Sequence, residues 1–432
     1  MNIENEQSQL KVTNQNITHG EMAKYIMRRH TFITLSDTEE ILVYNPKRGV
    51  YQDKGDIVIK QTVEETLDEY ECSRQASTSY TNEVLGHIKR RSYVDRNTLN
   101  SKSYRLILKN GVLDLRTMKV RRHNSKYLNT IRIPIYYDSS ARCPKIRKFL
   151  EQIVTKENVP LLEEIIAWCL DVKSPLQKVV LFVGEGANGK STFLRLLRRF
   201  LGKANCEGMS LQSLANNKFS IANLYGKLAN IYPDLSKATI KETGNLKALT
   251  GGDAINAERK YEKEFTFVNR AKLIFSANQP PIMNDESYAL WRRMVFIEFP
   301  FRFSGDSDDK RLINKLITQK ELSGLLNLSL KALKRLRENG EFSYQMSWEQ
   351  TRKKYSEMSD PVRAFIEKEC EFDSLEELSK PKLFQAYQKF CKKEQIPAET
   401  SRGFGRILKR EFSKNINERA NNWTGIYLKK SK

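Results

Sequence analysis

The chain has 432 residues and a formal net charge of +22, with 74 Lys and Arg against 52 Asp and Glu. That length holds roughly two to four domains with buried cores. The excess of base points to a polyanionic partner, nucleic acid ahead of a membrane, because no long apolar run exists. The six cysteines lie far apart without a C-x-x-C pair, which excludes a zinc ribbon or a disulfide scaffold and suits a reducing, cytoplasmic setting. The N-terminus is polar, without the apolar core of a signal peptide.

Residues 1–18 read as a polar tail, followed by a helix over Gly20–His30 and short strands at Thr31–Leu35 and Ile41–Tyr44. Helices are expected over Ile57–Tyr70 and Asn82–Arg91. Asn110-Gly111 between ILK and VLDL signals a hairpin turn. The region to about residue 140 is therefore a mixed α+β domain. Its four histidines (His19, His30, His87, His123) are isolated from one another and Asp114 stands without a second acid. Neither a nicking nor a polymerising metal site is indicated, and the domain reads as non-catalytic. Helices over Lys145–Val154 and Val159–Leu170 form a collar at 141–175 before the next domain.

Val179 to Leu201 reads VVLFVGEGANGKSTFLRLLRRFL. An apolar, β-branched strand runs into a glycine loop and then an amphipathic helix ending before Gly202. Gly184, Glu185, Gly186, Ala187, Asn188, Gly189, Lys190 and Ser191 match G-x-x-x-x-G-K-[ST], with Thr192 next. Such a loop turns backbone N–H groups around a phosphate chain at a helix N-terminus, places Lys190 on the β- and γ-phosphates, and sets the Ser191 hydroxyl on Mg²⁺. A nucleoside triphosphate, ATP with Mg²⁺, is the expected ligand. A second apolar strand, LANIYPD, ends at Asp234, the expected metal ligand beside Ser191. A third, KLIFSA, ends at Asn278, a side chain able to orient water or the γ-phosphate. In Trp291-Arg292-Arg293-Met294, ahead of VFIEF, an arginine is placed to reach a nucleotide held by a neighbouring subunit.

Helices follow over Arg311–Ile317, Glu321–Glu338 and Ser347–Glu357, making 304–360 a helical segment that closes at Asp360-Pro361. From 361 to 432 the pattern is helix, helix, helix, strand, turn, strand, the plan of a winged helix. Its third helix starts at Ser401, the expected N-cap. It carries Phe404, Ile407, Leu408 and Phe412 on one face and Arg402, Arg406, Lys409 and Arg410 on the other. The turn is expected at Asn421–Thr424, with Gly425–Lys430 as the returning strand.

Taken in order, GEGANGKS, LANIYPDLS, KALTGGDAINAERKYEKEFTF, KLIFSANQPP and WRRMVFIEFP resemble the superfamily 3 helicases, specifically the phage and plasmid primase-helicase group with its poxvirus members. The resemblance covers about residues 140–303. Residues 105–140 resemble the segment that precedes the motor in this group. It implies an α/β fold with an AAA+-like P-loop core at 176–303 and a homo-hexameric ring moving 3′→5′ on single-stranded and forked DNA. It assigns Lys190, Asp234, Asn278 and Arg293 to catalysis, Arg293 as the finger in preference to Arg292. The stretch Asp253–Phe267 becomes the hairpin entering the ring channel, with Arg259, Lys260, Tyr261 and Lys263 at its tip against the DNA backbone. The second motif has one acid where many relatives have two, which leaves the general base open between Glu258 and Asp253. Priming is expected from a separate primase or polymerase. The leading expectation is a replicative helicase of a virus, plasmid or integrated element, in the host cytoplasm if viral. An origin loader without processive unwinding and a nucleotide-switched DNA-binding regulator are the rivals.

Overall fold

The computed structural model describes residues 10, 16–172, 176–236, 238, 240, 242–260, 263–283, 285–304, 309–344, 346–394, 396 and 398–429. Most of the residues read as a polar tail, 1–9 and 11–15, and Tyr261 of the expected hairpin tip lie outside the described residues.

At the centre is a five-stranded, all-parallel sheet. Its order is Met294–Glu298, Val179–Val183, Lys272–Ala277, Ala229–Tyr232, Cys206–Glu207. Numbered along the chain from Val179–Val183, the order is 5-1-4-3-2. Parallel strands are apolar on both faces because both are covered. Here Val180, Phe182, Ile274 and Val295 face one core, and Val179, Leu181, Phe275 and Phe296 face the other. Against the first face pack the helices Lys190–Leu201, Pro144–Ile153, Val159–Leu170 and Gln319–Asn339. Gln319–Asn339 is tied to them through Glu321, whose carboxylate accepts from the Lys145 and Ile146 amides and so caps the Pro144–Ile153 helix from outside. Glu164, fully buried, is satisfied by Arg335 at 2.8 Å and by the Ser343 amide and hydroxyl, each at 2.7 Å.

The other face carries the antiparallel pair Ala254–Ala257 and Phe265–Val268, then Trp348–Ser359 and the C-terminal elements. The N-terminal part is a four-stranded sheet of order Val50–Asp53, Ile41–Asn45, Phe32–Leu35, Tyr93–Val94, covered by the helices His19–Arg29, Gly55–Glu69 and Thr78–Ser92. Arg105–Leu108 and Gly111–Asp114 form the expected hairpin. The turn is Lys109-Asn110, however, and Gly111 already pairs with Leu108.

Two further boundaries differ from expectation. The basic C-terminal helix is Ser401–Glu411 and its N-cap is Thr400, whose hydroxyl accepts from Gly403 at 3.1 Å, one residue before the serine. Two adjacent hydroxyl residues cannot be ranked by composition; the chain geometry selects Thr400. Asn422–Thr424 is a strand, paired with both Asn417–Arg419 and Glu377–Ser379, so the turn falls at Ala420-Asn421. Tyr427–Leu428 pairs instead with Cys370–Glu371. All six cysteines are buried and free, and among the described residues no helix is long and apolar enough to cross a membrane.

Candidate nucleotide and nucleic-acid sites

In an open parallel sheet, ligands bind beyond the carboxyl ends of the strands. Three of these ends converge here. The Val179–Val183 strand delivers the glycine loop, Ala229–Tyr232 delivers Asp234, and Lys272–Ala277 delivers Asn278. The Leu235 amide donates to Ser276 O at 2.8 Å, locking the second and third ends together.

The loop is shaped by backbone torsions that side chains resist. Gly189, the residue before the helix, has φ +87°, and a Cβ there would lie 2.4 Å from Ile153 Cγ2. Gly184 has φ +151°, and its Cβ would meet Asn188 Nδ2 and the Phe299 carbonyl. The segment after the edge strand holds the loop from the side. Asn188 Nδ2 donates to Phe299 O at 3.2 Å, and the Phe303 amide donates to Ala187 O at 2.7 Å.

Lys190 opens the Lys190–Leu201 helix and is buried. Its ammonium donates to Gly184 O, to Glu185 O at 3.2 Å and to Asn188 Oδ1 at 3.0 Å. Burial pushes its pKa from 10.5 down to about 8, with the nearby Asp234 charge opposing. Gly186 to Thr192, Asp234 and Asn278 line one cavity of about 850 Å³, a size suited to a nucleotide, while Gly184 and Glu185 lie outside its lining.

Two walls of that cavity are not legible in the sequence. Lys145, Lys148, Phe149 and Gln152 come from the Pro144–Ile153 helix, and Phe303, Leu312 and Lys315 from beyond the sheet. A clue was present in PKIRKFLEQ, an amphipathic helix with lysines on its outer face. Nothing in its spacing says where that face goes. Glu258 and Asp253 are not among the residues that line the cavity.

Arg293 lies elsewhere. It precedes the Met294–Glu298 strand, which runs parallel to Val179–Val183 with Met294 opposite Val179. It therefore sits at the amino end of the sheet, away from the glycine loop of its own chain. Its guanidinium is buried and donates to Ala289 O and to Gln177 Oε1 at 3.1 Å, while Arg292 donates to the same Gln177 oxygen at 2.7 Å.

The hairpin strands Ala254–Ala257 and Phe265–Val268 carry Arg259, Lys260 and Lys263 between them. Two of these cations meet acids of the N-terminal part: Lys263 lies 3.3 Å from Glu39 and Arg259 3.9 Å from Glu40. On the C-terminal helix, Phe404 and Leu408 are buried, with the Phe404 ring stacked 4.6 Å from Tyr387, and Arg402, Arg406, Lys409 and Arg410 are exposed. Lys409 pairs with Glu418, and Arg410 with Glu411 at 2.7 Å. Among the described residues, no group of three or more His, Cys, Asp and Glu could hold a metal ion.

Three family models match in chain order. They are a D5 N-terminal-like family at residues 23–155, a family of unknown function at 182–293, and a poxvirus D5 protein-like family at 357–432. A protein of Acanthamoeba polyphaga mimivirus named as a helicase is 27% identical over 178 residues, covering 39% of this chain and 18% of that protein. The primase D5 of fowlpox virus is 26% identical over 242 residues, covering 51% of this chain and 30% of the relative. The chain thus matches less than a third of the length of either protein. Among solved structures, the C-terminal region of NrS-1 (residues 305–718) is similar with a TM-score of 0.50 at 13% identity, covering 94% of this chain and 98% of that one. At that identity the likeness speaks for the fold. With D5-type models matching at both ends, and relatives named as a primase and as a helicase, the chain is similar to viral replication proteins of the poxvirus D5 kind.

Proposed function

We propose that this chain is the motor portion of a viral or mobile-element replicative helicase, powered by ATP. The carrying observation is one cavity that gathers Lys190, Ser191, Asp234 and Asn278 at the carboxyl ends of three adjacent parallel strands. In this reading residues 176–303 are an AAA+-like P-loop core and 1–140 an N-terminal α+β domain. Helices at 141–175 form a collar, 304–360 is a helical segment, and 361–432 is a winged helix.

Lys190 holds the β- and γ-phosphates by charge from beneath the loop, and the loop amides and helix N-terminus take the remaining phosphate oxygens. Mg²⁺ prefers hard oxygen donors and keeps few protein ligands beside the phosphates. The Ser191 hydroxyl and the Asp234 carboxylate fit that donor set. When bound, the ion neutralises charge building on the phosphates. Asn278 positions the attacking water or the γ-phosphate. The protein operates as a homo-hexamer around single-stranded or forked DNA, moving 3′→5′ with the hairpin cations on the backbone. Its primase or polymerase is a separate partner.

The test is hydrolysis and fork unwinding by the full chain. The wild type should turn over ATP faster with single-stranded DNA and unwind a 3′-tailed fork. Lys190→Ala should do neither while keeping its thermal melting point. Wild-type turnover in Lys190→Ala would sink the nucleotide-site reading. Turnover without unwinding would instead favour the loader.

A further inference from the structure

The hairpin meets the N-terminal part through two layers of contact that differ in strength. The inner layer is built to last. Arg96 is buried, with its guanidinium 4.6 Å from the Tyr225 ring centroid and 4.7 Å from that of Phe265, on the hairpin's second strand. The same guanidinium grips Asp37 through bonds of 2.7 and 3.1 Å and donates to Thr38 Oγ1 at 3.0 Å. Cation–π stacking of a buried guanidinium, with a bidentate carboxylate on its outer, solvent-exposed side, makes a durable anchor.

The outer layer is different in kind. Asp37 lies in the turn that joins the strands Phe32–Leu35 and Ile41–Asn45, and the next acids along the chain reach the hairpin tip. Glu39 adopts φ +62° and its amide donates to Leu35 O at 2.9 Å, so the turn points its side chain in a fixed direction. Glu39 meets Lys263 and Glu40 meets Arg259, with side chains between 31% and 64% exposed. Exposed ion pairs are weak and are screened by salt. Glu39 also has a second partner, Lys89 at 3.0 Å, so letting go of Lys263 does not strand its charge.

We propose that the turn Asp37–Glu40 is an internal competitor for the hairpin cations. Two consecutive carboxylates occupy Arg259 and Lys263 as two backbone phosphates would, and a single strand must displace them to engage the tip. The proposal rests on the reading of this hairpin as a DNA contact. Anchored by Arg96, the turn remains next to the tip after displacement and rebinds when the strand leaves. DNA affinity is thereby held down, a useful property for a hairpin that must release the strand in each cycle.

The experiment is fluorescence anisotropy of a labelled oligothymidylate with the full chain at low salt. Glu39→Gln with Glu40→Gln should tighten binding about fivefold, the scale of two exposed ion pairs lost, and the gain should shrink as salt rises. Glu64→Gln with Glu65→Gln, an exposed acid pair on the Gly55–Glu69 helix, adds the same net charge and should change affinity by less than twofold. Placed on Arg259→Ala with Lys263→Ala, the turn variant should lose its gain. If the turn variant matches the helix control while the hairpin variant weakens binding, the competitor is refuted and the hairpin contact survives. If the hairpin variant binds DNA like the wild type, the hairpin reading fails and the competitor fails with it.

Discussion

Lys190 is a buried cation whose pKa is brought down towards neutrality by burial, and this gives the phosphate loop a pH signature. Burial sets its pKa at about 8, while the unfolded chain titrates near 10.5. Phosphate binding needs the ammonium. Affinity for ATP should therefore be level below pH 8 and fall above it, by at most tenfold per unit. Stability moves the other way. Between pH 8 and 10.5 the unfolded chain binds more protons at this group than the folded one, so stability contributed by Lys190 rises with pH there. A loss of affinity without a loss of melting temperature would thus be titration of the loop and not unfolding. Asp234 opposes the shift, so Asp234→Asn should move the break in the affinity profile to lower pH while cutting turnover. An unmoved break in nucleotide titrations from pH 6.5 to 9.5 would mean that the two charges are not coupled.

The basic helix Ser401–Glu411 separates its duties by face, so its parts can be tested apart. Removing Arg402 and Arg406, both exposed, should leave the melting temperature unchanged and lower the salt slope of duplex binding by about 1.8, at roughly 0.9 per phosphate contact. An unchanged slope would turn this module towards a protein partner. This helix also shows how far sequence carries the structure. Its apolar and basic faces were readable because a 3.6-residue period declares itself in eleven residues. Val179–Val183, Lys272–Ala277 and the glycine loop were readable for a similar reason: each is a run whose residues are dictated by local burial or torsion. The edge strand Cys206–Glu207 has two residues and no period, and went unread. So did the cavity walls from Pro144–Ile153 and Leu312–Leu316, and the Glu39 and Glu40 contacts. Those depend on which surfaces meet across up to 224 residues of chain, and local pattern holds no record of that.

If the chain works as the proposed ring, the decisive residue is one that lies away from its own subunit's candidate nucleotide cavity. Arg293 sits at the amino end of the sheet. The five residues Met294–Glu298 span about 16 Å at 3.3 Å per residue, so its guanidinium is a strand's length from the glycine loop of the same chain. The proposed ring would give that position a purpose by setting one subunit's edge against the next subunit's cavity. To act there, Arg293 must release Gln177, which Arg292 also holds. Arg293→Ala should then retain ATP binding and lose hydrolysis by about 10³-fold or more, as with other arginine fingers. Mixing it with Lys190→Ala should restore turnover, since a mixed ring can set an intact loop beside an intact finger and neither variant alone can. Because Arg293 is buried, its truncation also risks loosening the fold, so the melting temperature of each variant must match the wild type for the mixture to count. Recovery with Arg292→Ala in place of Arg293→Ala would shift the finger by one residue and leave the ring standing. Mixtures that co-assemble yet stay inactive would rule out a site shared between subunits and leave the nucleotide as a switch within one chain.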